Sequence, residues 1–117
     1  MKNEKYIYHI VDKDLANLAL NQGSYEAESL ALEGFIHLSY KEQILMVANS
    51  FYKGVSNLLL FQIEQDKVGP SLKVEFVAEV DQSFPHIYGA IDTTLVVKTI
   101  DFPHNSDGVF CLPSEVE

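Results

Sequence analysis

Helix-forming patterns end at Gly54, and the chain beyond it reads almost wholly as strand and turn. A chain segregated in this way lacks the alternation that builds a parallel doubly wound sheet. The expected class is therefore α+β, with a mixed, largely antiparallel sheet and two main helices. The first helix is read over residues 13–22, between Asp12 as N-cap and Gly23 as a left-handed stop, with Leu15, Leu18 and Ala19 at helical spacing. The second opens at Ser39, where Glu42 three residues on completes a capping box. Ile44, Leu45, Val47, Ala48, Phe51 and Tyr52 make its apolar stripe up to Gly54. Between them Ser29 to Gly34 reads as one helical turn closed by glycine.

Strand patterns fall at 6–11 (YIYHIV), 35–39 (FIHLS), 57–64 (NLLLFQIE), 72–77 (LKVEFV) and within 93–102. The segment from Phe84 to Gly89 is too punctuated by Pro85 and Gly89 to be expected as a central strand. With 117 residues, the chain suits a single domain over 1–117, with a core at 6–102 and a loosely packed tail at 103–117.

Charge narrows the functions available. Seventeen acidic against eight basic residues give a net charge of −9, and all eight basic residues are Lys. Such a surface repels a phosphate backbone and anionic lipid alike, so neither a nucleic acid nor a membrane is an expected partner. One Cys, Cys111, makes neither an internal disulfide nor a thiolate cage. The first fourteen residues hold no apolar run long enough for a signal peptide or a span, and the expectation is a soluble cytoplasmic protein. The pattern reads no oligomeric state.

Three of the four histidines lie among apolar or aromatic neighbours: His9 in Tyr8-His9-Ile10, His37 in Ile36-His37-Leu38, and His86 in Pro85-His86-Ile87-Tyr88. Each such imidazole is partly desolvated and must find partners, and three scattered ones are expensive to satisfy. Their convergence on one cleft is the functional expectation; satisfied core histidines are the plain alternative. Three histidines and an open position suit zinc. No HxH or HxxxH spacing fixes two ligands on one element, however, so no metal is expected, and a zinc-dependent hydrolase is the lesser alternative. Glycine-rich phosphate loops are absent. Glu75 and Glu79 read as solvated residues of an acidic protein, His104 as a solvated tail residue. The tyrosines near the histidines would wall a cleft for a flat, nucleoside-like ligand, with Tyr25 and Tyr88, beside turn glycines, nearest the surface.

The strings Ile7-Tyr8-His9-Ile10-Val11, Gly23-Ser24-Tyr25, Gly34-Phe35-Ile36-His37-Leu38-Ser39, Ala48-Asn49-Ser50-Phe51-Tyr52 and Phe84-Pro85-His86-Ile87-Tyr88-Gly89 occur in order along 6–102. Together they resemble the bacterial family called domain of unknown function nine-five-two. That family is in turn similar to ADP-ribosyltransferase-like proteins, specifically the tRNA 2′-phosphotransferase branch. The resemblance implies an ADP-ribosyltransferase-like fold and a cleft for NAD, ADP-ribose or a related nucleotide, with transferase-like or phosphotransferase-like chemistry. It implies His9, His37 and His86 as catalytic residues, and Tyr25, Ser39, Tyr88 and Lys73 as ligand contacts, Lys73 toward a diphosphate. The absence of Arg departs from the tRNA-directed relatives and disfavours an RNA substrate. A non-catalytic small-molecule-binding module is the alternative.

Overall fold

The computed structural model describes residues 6–116; residues 1–5, part of the stretch inspected for a signal peptide, lie outside them. Along the chain run β1 (Tyr6–Asp12), α1 (Lys13–Gln22), β2 (Ser24–Tyr25), α2 (Glu28–Glu33), β3 (Ile36–His37), α3 (Ile44–Phe51), β4 (Leu58–Glu64), β5 (Leu72–Val77), β6 (Gln82–Ile87), β7 (Ile91–Asp92) and β8 (Val96–Asp101). The α+β class holds. Every strand pairing among the described residues is antiparallel, so the sheet is not mixed: β1-β4-β8 and β3-β6-β5 form two three-stranded sheets, and β2 pairs with β7. No helix among the described residues is long and apolar enough to cross a membrane.

Local chemistry explains the first helix. The Asp12 carboxylate accepts from the N–H groups of Asp14 at 3.0 Å and Leu15 at 3.1 Å, and Gly23 ends α1 at φ 87°, where a side chain would be strained. The face it buries is Ala16 and Ala19, whereas Leu15 and Leu18 stay more than half exposed, against the stripe expected from spacing.

A two-bond exchange joins the two larger sheets. Tyr8 and Ser39 each donate a backbone N–H to the other's carbonyl at 2.8 Å, which pins the end of β3 to β1. Ser39 is thus spent on strand pairing and does not cap a helix. The capping box lies one residue later: the Tyr40 N–H donates to Gln43 Oε1 at 3.0 Å, and a 3-10 turn at Lys41–Gln43 precedes α3. Gln43 Nε2 in turn donates to the Ser83 carbonyl at 2.8 Å, tying this turn to β6.

The segment carrying Pro85 is, contrary to expectation, the central strand of its sheet. The Leu38 N–H donates to the Pro85 carbonyl at 3.0 Å, but Pro85 has no N–H to return. Pairing between β3 and β6 therefore stops there, and the chain is free to turn at Ser39 toward β1. Proline is tolerated because its missing donor faces the point where the strands part.

Two apolar clusters cover opposite faces of β1 and β4. One gathers Ile7, Val11, Tyr25, Ile36, Leu38, Phe61 and Ile87; the other gathers Tyr8, Ile10, Ile44, Leu60, Ile100, Phe102 and Phe110. The second includes the tail, which is packed rather than loose. Phe110 and Val116 are buried, the Phe110 N–H donates to Asn49 Oδ1 at 2.8 Å, and Asn49 Nδ2 donates back to the Phe110 carbonyl at 3.3 Å. Asn49→Ala would leave both buried backbone groups without a partner. We expect it to cost about 1–3 kcal/mol, read as a lowered midpoint in urea unfolding together with faster exchange of the Phe110 amide.

Candidate functional site

His37 on β3 and His86 on β6 are opposite each other in register, so both side chains leave the same face of the sheet. Their ring centroids are 5.3 Å apart and the planes cross at 80°. Lys73 on β5 is opposite His86 on that same face, and Glu75 follows two residues along. Two of the three expected histidines therefore meet.

Glu75 organises one half of this face. Its Oε1 accepts from His86 Nδ1 at 2.7 Å and from the Tyr88 hydroxyl at 2.6 Å. The Tyr88 bond first, then the His86 bond, hold the Glu75 carboxyl below its ordinary range, and the same shared proton raises the Tyr88 phenol. With Nδ1–H committed to an ionised carboxylate, a neutral His86 carries its lone pair on Nε2, which no hydrogen bond among the described residues engages. This is the carboxylate–imidazole arrangement that fixes a tautomer for proton transfer. In the other half, His37 Nε2 lies 3.1 Å from Glu33 Oε1, and the His37 side chain is 53% exposed.

Aromatic rings bridge the two halves. Phe35 stacks on His86 with centroids 4.3 Å apart and planes 26° from parallel, meets His37 at 4.9 Å and lies 5.2 Å from Tyr88. The Lys73 ammonium stands 5.5 Å from the centre of the Tyr88 ring.

His9 stands apart. Ile36 and Leu38 belong to the apolar cluster that contains Ile7 and Val11, so His37 between them points away from it while His9 points into it. His9 Nδ1 donates to the His37 carbonyl at 2.7 Å, and Nε2 accepts from the Tyr25 hydroxyl at 2.8 Å. Its ring reaches the backbone of β3 without joining the pair on the other face, of which His37 is exposed and His86 is buried at 5% exposure. Tyr25, expected near the surface, is buried at 6% exposure with its edge against Phe61, and burial raises its phenol. Ser39 is also buried and lies at the strand junction. A depression of about 340 Å³ over α1 and β2 is lined by Leu15, Leu18, Gln22 and Tyr25, and none of the three histidines lines it.

The site thus keeps His37, His86, Tyr88 and Lys73 from the expected set, and adds Glu33, Phe35 and Glu75. Glu75 had a sequence signal in the alternation of LKVEFV, which puts Lys73 and Glu75 on one face. Reading it as a mere solvated face missed that β6 brings a histidine there. Among the described residues no three His, Cys, Asp or Glu side chains are grouped to hold a metal ion.

The family model described as "Protein of unknown function (DUF952)" matches residues 10–99. A search of the curated proteins finds no match. Among solved structures, the X-ray crystal structure of protein CC0527 from Caulobacter crescentus is 32% identical and superposes with a TM-score of 0.85, covering 92% of this chain and 94% of that one. The solution NMR structure of CC0527 is 32% identical with a TM-score of 0.78, covering 89% and 90%.

Burial, the largest influence, lowers the His9 pKa from 6.5 to about 4, partly opposed by the bond to the His37 carbonyl. A folded value below the unfolded one means that the unfolded chain takes up this proton first as pH falls. The stabilisation is full above 6.5 and is lost between 6.5 and 4, by up to roughly 3 kcal/mol. Urea midpoints at pH 7.5, 5.5 and 4 should fall more steeply for the natural chain than for His9→Gln; parallel slopes would show that His9 is not held neutral.

Proposed function

Because the chain belongs to the DUF952 family, whose description assigns no activity, we propose a function from the face shared by His37 and His86. It binds a nucleotide-derived small molecule of the NAD or ADP-ribose class and moves a proton or stabilises developing charge on it, in transferase-like chemistry. The observation that carries this reading is the Tyr88–Glu75–His86 chain of hydrogen bonds, which presents His86 Nε2 beside a second imidazole. The Phe35 and Tyr88 rings offer surfaces for a planar group, and Lys73 supplies a cation for a phosphate. On this reading His86 is the acid or base, His37 the second donor, Glu75 the residue that orients His86, and the domain an ADP-ribosyltransferase-like one. His9 and Tyr25 support β3 from below and touch no ligand.

One observation favours a second reading, binding without chemistry: Phe35 already covers one face of the His86 ring, which suits a clamp better than a proton shuttle. The metal-assisted alternative is not carried further, since the described residues do not gather three ligands.

Calorimetry with NAD and with ADP-ribose, followed by assay for nicotinamide release or phosphate transfer, separates these readings. Binding with turnover that falls by roughly 10²- to 10⁴-fold in His86→Ala supports the first. Heat without turnover supports the second. His37→Ala, at an exposed position, is expected to abolish binding with the circular dichroism spectrum unchanged. Silence from both nucleotides removes the proposed ligand class.

A further inference from the structure

β5 is the outer strand of its sheet, and among the described residues no strand pairs with its far side. It carries Val74 and Phe76 at 50% and 62% exposure. An open apolar edge of this kind is a template for another strand. The Ser71 carbonyl accepts the Tyr88 N–H at 2.8 Å, which shows that odd-numbered backbone groups here face β6. By alternation, the groups of Leu72, Val74 and Phe76 face outward. The Leu72 N–H is spent on the Gly69 carbonyl at 3.1 Å, leaving both groups of Val74 and Phe76 directed away from the sheet.

We propose that a second copy of this chain pairs with β5 in antiparallel fashion, on a two-fold axis at Val74. The outward groups recur at every second residue, so a two-fold register must centre on a residue rather than between residues. Centred on Lys73 it would set two ammonium groups face to face, and centred on Glu75 two carboxylates; like charges directly opposed are destabilising. Centred on Val74, each Lys73 is opposite the partner's Glu75, each Leu72 is opposite the partner's Phe76, and the two Val74 residues exchange backbone bonds. The pattern Leu-Lys-Val-Glu-Phe is self-complementary, as an isologous interface requires.

Glu75 has room for this contact. Its bonds to His86 and Tyr88 both use Oε1, so Oε2 can take the partner's Lys73. The ammonium beside the carboxylate that orients His86 is then supplied across the interface. The pairing engages Lys73 and Glu75, which the proposed function also uses, but it is read from mass rather than from ligand binding, so the two ideas fail separately.

Light scattering on the full chain, at tens of micromolar, reads the mass directly. The expected result is twice 13.2 kDa. Lys73→Glu, an exposed substitution, should return the mass of one chain, and combining it with Glu75→Lys should restore the dimer. Val74→Pro removes an N–H that β6 does not use and should also dissociate the pair, with circular dichroism confirming the fold. A single-chain mass for the natural protein, a dimer that survives Lys73→Glu, or a double variant that stays monomeric would overturn the proposal.

Discussion

The reciprocal pair of bonds between Tyr8 and Ser39 decides the geometry of the whole molecule. Without it β1-β4-β8 and β3-β6-β5 would be separate three-stranded sheets, each with an extra open edge. With it, β3 serves as a hinge strip between them: its two residues pair with β6, and the residue two further on pairs with β1. The requirement falls on Pro85. A residue with an N–H at that position could return a bond to Leu38, lengthen the β3–β6 ladder and hold Ser39 away from Tyr8. The imidazoles of His37 and His86 face each other because the two-pair ladder sets them opposite each other on one side of the sheet, with Ile36 and Ile87 paired on the other.

His9 completes this junction from the buried side. One ring links three strands: it stands on β1, accepts the Tyr25 hydroxyl from β2 and donates to the His37 carbonyl on β3. An aliphatic residue of similar bulk would strand that carbonyl and that hydroxyl, and each buried polar group left unpaired costs on the order of 1–3 kcal/mol. The ring must be neutral to do both jobs, since only a neutral imidazole donates at one nitrogen and accepts at the other. The environment that lowers its basicity is therefore the one its structural task needs. Of the three histidines in apolar settings, the one with both ring nitrogens already bonded is thus the least suited to touch a ligand.

Local rules were legible in the sequence wherever the deciding partners are close along the chain. Asp12, Gly23 and Gly34 set helix ends through bonds spanning a few residues, and the expected boundaries hold. Failures occur where a distant strand competes. Ser39 had the side chain for a cap but was claimed by Tyr8, thirty-one positions earlier, so Tyr40 and Gln43 took over the start of the helix. Phe84 to Gly89 carried local marks against a central strand, and nothing in those residues announces that β3 parts company at Pro85. The tail offered turn residues to the eye, yet Asn49 in α3 holds Phe110 by both its side-chain atoms. The convergence of His37 and His86 depends on register, which letters alone leave open; alternation does settle that His37 faces away from Ile36 and Leu38.

Charge limits how the exposed face can recognise anything. Each imidazole there already has its own carboxylate, Glu33 for His37 and Glu75 for His86, within a chain of net charge −9 that contains no Arg. A protonated imidazole would therefore be neutralised locally before it could attract a phosphate, and Lys73 is the cation placed beside the Tyr88 ring. Dense negative charge is met mainly by repulsion. Planar neutral or cationic groups meet the opposite conditions: ring faces at Phe35 and Tyr88, and an acceptor at His86 Nε2. Under the proposed reading, the base or ring portion of a nucleotide-derived ligand lies against the Phe35 and Tyr88 rings beside the histidines, and its phosphates stay at the Lys73 end, toward solvent.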